Sequence, residues 1–153
     1  FAYAGEALAG RYIGAGNQIA LHRIVRKLFL WGFGLSLAFT LLYLVGGKAF
    51  LGILTNESSV IKEANSYFYW VLAIPLAGFS AFLWDGIFIG ATATRQMLVS
   101  MFIASTCFFA TYYSFHSLMG NHALWMAFLI YLFLRGIIQA FLSRKILNIF
   151  PTT

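Results

Sequence analysis

The sequence predicts an all-α protein, a polytopic bundle of about five transmembrane helices. Hydrophobic residues make up 61% of the chain and charged residues 9%, whereas a soluble domain carries about 25% charged residues. Too few charges are present to cover a surface in contact with water, which predicts an integral protein of the lipid bilayer. Long apolar stretches alternate with short polar segments, and no strand-like pattern competes with them. The predicted helices cover about residues 1–15, 28–45, 60–92, 97–117 and 123–142.

The first helix, 1–15, is shorter than the about 20 apolar residues that cross a bilayer, so we interpret it as the second half of a span. The chain also begins with Phe1 instead of Met, and we expect it to be a fragment of a longer protein. Gly16 and Asn17 predict a turn, and residues 18–27 read as a short amphipathic connector.

The second helix, 28–45, is apolar throughout and spans about 27 Å at 1.5 Å per residue. Glycines and a lysine at 46–48 are predicted to end it, and residues 55–59 form the polar core of the loop that follows. The third helix, 60–92, contains Pro75, which removes one backbone hydrogen bond and predicts a kink.

The fourth helix, 97–117, follows a tight turn predicted at 93–96 and carries small polar side chains that favour close packing. The fifth helix, 123–142, follows a turn predicted at 119–122. A short tail at 151–153 ends the chain.

The net charge of +6 is distributed as a topology signal. One side of the membrane collects the basic residues Arg23, Arg26, Lys27, Arg95, Arg144 and Lys145. The other side has Lys48 and Lys62, which two glutamates offset. The positive-inside rule therefore predicts a cytoplasmic C-terminus. We expect a multi-pass protein of the cell inner (plasma) membrane. No basic face is interleaved with aromatic residues, which disfavours nucleic acid as a partner.

Cysteine and histidine usage predicts neither a metal nor a cofactor. Cys107 is the only cysteine, which excludes an internal disulfide and a cysteine-rich metal site, and we interpret it as an inert buried thiol. His116 and His122 flank the turn at 119–122 and lack the further ligands that a metal site needs. No catalytic residues are predicted, because a membrane enzyme would need acids, histidines or metal ligands gathered at one interface.

Asp85 is the main candidate functional residue, because an acid inside the bilayer that faces a cavity or a partner indicates a functional site. Glu6 is the second candidate. At 1.5 Å per residue, both acids lie about 10–12 Å inside helix ends predicted to be cytoplasmic. We predict that Asp85, with Glu6, binds a proton or another cation. The alternative is that each acid is simply paired with a base or capped by hydroxyl groups.

Arg135 lies at a similar depth, about 13 Å inside its own helix. A guanidinium there needs a carboxylate or several carbonyl groups, so we predict that Arg135 is the charge partner of Asp85 or of Glu6. The sequence leaves open whether this pair is a static lock or a switchable one. A permanent pair would prevent the acid from binding another cation.

Glycines and aromatic residues complete the set of candidates. Gly10 with Gly14, and Gly86 with Gly90, form G-x-x-x-G patterns that predict close helix packing. Aromatic side chains could line a cavity for flat cationic compounds through stacking and cation–π contacts, with lipid-facing or interfacial positions as the alternative. The cavity candidates are Tyr3, Tyr69, Trp70, Phe82 and Trp84.

Residues 1–17, the segment Leu-Trp-Asp-Gly-Ile-Phe-Ile-Gly-Ala-Thr at 83–92, and the segments 120–125 and 135–136 occur in this order along the chain. They resemble the eighth, tenth and twelfth helices of the multidrug and toxic compound extrusion (MATE) family, in particular its DinF-like branch. The resemblance implies most of the C-terminal six-helix lobe of a twelve-helix transporter. Its partner is the N-terminal lobe of the same chain, which this sequence lacks.

The resemblance also implies cation-coupled antiport, in which a proton or sodium ion moves inward while amphipathic or cationic drug-like compounds leave. In sodium-coupled relatives, an acid at the position of Asp85 belongs to a cation site in the second lobe. One alternative is a flippase of the same fold for lipid-linked oligosaccharides or polysaccharides, which a tight acidic pocket around Asp85 would disfavour. Another is a structural subunit without transport activity, which would leave Asp85 and Arg135 unexplained.

Overall fold

The computed structural model describes residues 1–54 and 57–147, which form helices joined by short turns and contain no strand. The helices are α1 (Ala2–Gly14), α2 (Gln18–Leu54), α3 (Ser58–Ser66), α4 (Phe68–Gly90), α5 (Thr94–Met119) and α6 (Asn121–Leu147). Four of these described helices, α2, α4, α5 and α6, contain a stretch long and apolar enough to cross a membrane. The predicted all-α transmembrane class is confirmed.

The outward faces of α2 and α5 are apolar. Leu30 on α2 is 71% exposed, and Phe102 and Leu118 on α5 are 73% and 79% exposed. A continuous apolar surface of this kind is unfavourable in water and is typical of a surface that contacts lipid or another protein. The structure therefore describes a multi-pass membrane protein.

Helix α4 is the centre of the bundle, because it packs against α1, α2 and α6, while α5 packs mainly against α6. Helices α1 and α4 run parallel, since Gly86 lies against the backbone of Ala2 and Gly90 lies against the backbone of Glu6. A Cβ atom on Gly10 would lie 3.2 Å from the Gly90 carbonyl oxygen. These three glycines let the two helices approach closely, as the G-x-x-x-G patterns predict.

Gly14 does not take part in this contact. A Cβ atom there would meet no described atom within 4 Å, and α1 ends at this residue. For the contact between α1 and α4, the packing prediction for Gly14 is therefore wrong, because α4 ends at Gly90, which lies against Glu6 and Gly10.

The described core lies where α1, α2, α4 and α6 meet. Its buried residues are Ala9, Leu21, Val25, Trp84, Ile87, Phe88, Ala93 and Ile146. Beside it, Gln18 at the start of α2 donates from Nε2 to the Leu147 carbonyl at the end of α6, at 2.6 Å. This bond places the start of α2 and the end of α6 on the same side of the bundle.

Helix α2 extends beyond both predicted ends. It begins at Gln18, so the segment 18–27 is helical rather than a separate connector. The Asn17 side chain caps this start, since Oδ1 accepts from the Ala20 amide at 2.9 Å. The predicted boundary at residue 28 is where the apolar stretch begins, whereas the helix itself begins ten residues earlier in a polar segment. The helix also continues through 46–48 to Leu54, because glycine weakens a helix without ending it.

The single predicted helix 60–92 is divided at Tyr67, where φ is −103° and ψ is 2°. Before this residue, α3 is amphipathic and has no buried residue, so it lacks the packing that would hold it in line with α4. Helix α4 remains helical through Pro75. The Thr40 hydroxyl of α2 donates to the Leu72 carbonyl, in the turn before the proline, at 3.3 Å. The kink at Pro75 stays a prediction.

The turns are shorter than predicted. The turn before α5 occupies residues 91–93 instead of 93–96, with a positive φ of 53° at Thr92. Gly120, with a φ of 54°, separates α5 from α6 by itself, and the turn at Gly16 and Asn17 is confirmed. Residues 55–56 of the predicted loop and the tail at 151–153 lie outside the described residues.

Candidate functional site

The candidate site lies between α4 and α6, where a glycine brings the two helices together. A Cβ atom on Gly136 would lie 3.1 Å from the Ser80 side chain and 3.3 Å from the Ala81 amide nitrogen. The helices run parallel here. Trp70 near the start of α4 contacts His122 near the start of α6, and Asp85 further along α4 contacts Gln139 further along α6. This close approach brings the next turn of α4, which carries Asp85, within reach of the polar side chains of α6.

Two residues of α6 bind the Asp85 carboxylate. Arg135 Nη2 donates to Oδ2 at 2.5 Å, and Gln139 Nε2 donates to Oδ1 at 2.7 Å. Arg135 and Gln139 are four residues apart, a spacing that places both on one face of the helix. The Arg135 and Asp85 side chains are 10% and 17% exposed, and Gln139 is fully buried. Each carboxylate oxygen is therefore held by a different residue of the same helix.

Tyr131, one turn earlier on α6, supports the guanidinium. Arg135 Nη1 donates to the Tyr131 hydroxyl oxygen at 3.3 Å, and the guanidinium carbon lies 5.8 Å from the centre of the Tyr131 ring. Cation–π contact at this distance is weakly stabilising. Arg135 thus has an anion, a hydroxyl group and an aromatic face around it.

The charges of Asp85 and Arg135 cancel, so the site is a neutral ion pair and not an acidic pocket. A buried pair gives little net stability, since the cost of removing both charges from water offsets most of their attraction. Removing one partner alone leaves an uncompensated charge and is strongly destabilising. Chemically, this arrangement can bind a cation at Asp85 only if Arg135 moves away.

Glu6 does not join this site. Its half-buried side chain makes no hydrogen bond or ion pair with a described residue. Its backbone lies against Gly90, more than one turn beyond Asp85 along α4. Of the two partners predicted for Arg135, the structure selects Asp85, and the shared role of Glu6 in binding a cation stays a prediction.

The aromatic cavity candidates lie in different places. Tyr3 and Tyr69 are exposed, Trp70 donates from Nε1 to His122 Nδ1 at 3.0 Å, and Trp84 is buried against Phe29 of α2 at 4.9 Å between ring centres. Their role toward a substrate stays a prediction.

Phe82 lines an open, mostly apolar cavity of about 300 Å³ between α2, α4 and the start of α1. Pro75 and Phe79 of α4, together with Leu35 and Ser36 of α2, contribute to the same walls. Cys107 is free and half-buried, rather than buried as predicted, because its helix α5 has few partners within the described chain.

Sequence reasoning missed Gln139 and Tyr131. The available signal was their spacing, since each lies four residues from Arg135 and therefore shares its helix face. A buried arginine needs several acceptors, so polar residues one turn before and one turn after it were candidates to bind the same partner.

A bundle of apolar helices that holds an ion pair between two of them defines a polytopic membrane protein with a polar site inside the bilayer. Residues 1–115 match the MatE protein-family model. The chain therefore belongs to the MatE family, whose members are membrane transporters, and the resemblance noted in the sequence is confirmed.

The chain is also similar to the DNA damage-inducible protein F of Escherichia coli (strain K12), with 35% identity over 145 residues. The alignment covers 95% of this chain and 31% of that relative, so the chain spans about a third of the length of the curated relative. No solved structure matches the chain.

Proposed function

We propose that the full-length protein is a secondary active transporter that exchanges a proton or a sodium ion for amphipathic or cationic drug-like compounds. In this proposal the chain forms most of the C-terminal lobe, and an N-terminal lobe of the same protein is its partner. The protein lies in the cell inner membrane with its C-terminus in the cytoplasm, as the distribution of Lys and Arg favours.

The ion pair between Asp85 and Arg135 is the observation that carries this proposal. Two apolar side chains of similar volume in this position would be at least as stabilising as a buried ion pair. A purely structural purpose therefore explains the pair poorly. If a cation that crosses the membrane replaces Arg135 at the Asp85 carboxylate, the presence of an acid inside the bundle is explained. Membership of the MatE family supports transport as the purpose of the pair.

The coupling follows from the two ligands that Asp85 can hold. With Arg135 bound, the site is neutral and closed. When a proton or sodium ion binds Asp85, Arg135 is released and the contact between α4 and α6 changes. The apolar cavity that Pro75 and Phe82 line lies on α4 as well, so a movement of α4 connects cation binding with the surface offered to an apolar substrate.

The test measures efflux of a cationic dye from cells that express the full-length protein, under an imposed proton or sodium gradient. Asp85→Asn should abolish gradient-driven efflux. Asp85→Asn combined with Arg135→Gln should also abolish it while avoiding an unpaired charge, so that lost transport is separated from lost folding. Thr106→Ala is the matched control, since Thr106 lies on an exposed face of α5 and donates only to the Phe102 carbonyl of its own helix.

Membrane levels of each variant are measured by immunoblotting. Unchanged gradient-driven efflux in the Asp85→Asn, Arg135→Gln double variant would contradict the role of Asp85 in cation coupling. Glu6→Gln, assayed in the same way, decides whether the second acid belongs to the coupling site.

A further inference from the structure

Gln139 has a buried acceptor that the closed ion pair does not use. Among the described residues, three buried side-chain atoms lack a hydrogen-bond partner: Trp84 Nε1, Arg135 Nε and Gln139 Oε1. The first two are N–H donors, and Gln139 Oε1 is the acceptor. Leaving a buried polar atom unpaired is unfavourable, so this acceptor requires an explanation.

The orientation of the Gln139 amide follows from its contact with Asp85. The amide nitrogen donates to Oδ1 at 2.7 Å, because an amide oxygen in the same place would repel an ionised carboxylate. The amide oxygen is left without a partner in the interior. On the same face of α6, one turn earlier, Arg135 carries an N–H group that also lacks a partner.

Release of Asp85 changes the hydrogen-bond partners that Arg135 and Gln139 need. Once a cation occupies Asp85, Arg135 loses its anionic partner and needs another acceptor, since an unpaired buried charge is strongly unfavourable. Gln139, no longer held by an ionised carboxylate, can turn its amide oxygen toward Arg135. Residues four apart on a helix are near enough for this bond, at about 5–6 Å between Cβ atoms.

We propose that Gln139 is a positioning residue that alternates between two hydrogen bonds. It donates to Asp85 while the ion pair is closed, and it accepts from Arg135 while Asp85 holds the coupling cation. This inference rests on the proposed function, because it requires cation binding at Asp85. In the described chain, the titratable groups in contact with the pair are its own two members and Tyr131, and Glu6 on α1 makes no hydrogen bond or ion pair with them.

Two substitutions should move cation binding in opposite directions. Gln139→Leu removes both hydrogen bonds, and the loss in the cation-bound state is larger because the Arg135 charge then keeps only the neutral Tyr131 hydroxyl as an acceptor. We expect the cation concentration that half-saturates Asp85 to rise roughly tenfold. Gln139→Glu provides a charged acceptor for Arg135 and repels the ionised Asp85, so this concentration should fall roughly tenfold or more. A residue that only donates to the ionised Asp85 would shift both variants to lower concentrations, because losing that donor and adding a like charge each favour the cation-bound form.

The measurement is infrared difference spectroscopy on the purified full-length protein during titration with sodium ions or protons. The Asp85 carboxylate band is assigned by its absence in Asp85→Asn. Ser143→Ala is the control, since Ser143 is buried on the same helix and donates only to the Ala140 carbonyl. Gln139→Met replaces the leucine variant if the latter does not accumulate.

Opposite shifts in the two Gln139 variants, with none in the Ser143 control, are the expected result. Shifts of one sign, no shift, or an Asp85 band that neither cation changes would overturn the inference. Dye efflux by the unmodified protein is measured in parallel. Absent efflux together with opposite shifts would contradict the proposed function alone.

Discussion

Trp70 Nε1 donates to His122 Nδ1 at 3.0 Å, and this hydrogen bond joins the first turns of α4 and α6. Tyr67, at the break between α3 and α4, places its ring 4.9 Å from the His122 ring and stacks on Trp125 at 6.0 Å. Because Nδ1 accepts, the ring proton of His122 resides on Nε2. The two helices that hold the candidate site are thus also joined near their starts, away from Asp85.

Removing this hydrogen bond should loosen the starts of α4 and α6. Trp70→Phe and His122→Phe should each lower the free energy of unfolding of the full-length protein by about 0.5–1.5 kcal/mol. His122→Asn should cost less, since its amide oxygen can accept near the position of Nδ1. Thermal unfolding in detergent measures these effects. Fully additive losses in the Trp70→Phe, His122→Phe double variant would show that the two residues do not interact.

A methyl group on Gly86 should force α1 away from α4. The added Cβ atom would overlap the Ala2 backbone, which has no flexible end to move aside. We expect Gly86→Ala to destabilise the full-length protein by about 1–3 kcal/mol. Gly34→Ala on α2 is the matched control, since its Cβ atom meets no described atom within 4 Å and alanine favours a helix. Equal stability of the two variants, by thermal unfolding, would contradict the close contact between α1 and α4.

The orientation in the membrane should place the turn before α5 in the cytoplasm and the turn after α5 outside. In a full-length protein whose only cysteine is introduced, Asn121→Cys should react with a membrane-impermeant maleimide in intact cells. Thr94→Cys should react only after permeabilisation. Both positions are exposed: Thr94 begins α5, and Asn121 begins α6 just beyond the other end of α5. The reverse pattern would contradict the orientation that the positive-inside rule predicts, and labelling of both in intact cells would contradict a membrane-spanning α5.

Boundaries of helices were the least predictable part of the fold. Apolar composition located the four described spans well, because hydrocarbon excludes unpaired backbone groups and so requires helices. It did not show that α2 begins at Gln18 or that Tyr67 separates α3 from α4. A polar helical turn outside the bilayer has the same composition as a loop, and the break at Tyr67 follows the polar helix α3 with no proline or glycine to mark it.

By itself, the sequence determined that this protein is a helical membrane protein and that Asp85 and Arg135 each need a partner. Apolar length and the cost of a charge in hydrocarbon are properties of the residues and do not depend on their neighbours. Only the tertiary structure decided that Arg135 binds Asp85 and not Glu6, and that Gln139 holds the second carboxylate oxygen. The sequence provides only the depth of a residue along its helix. A contact also depends on which helices are neighbours and on how each is rotated about its own axis. The close approach of α4 to α6 at Gly136 sets both for Asp85 and Arg135.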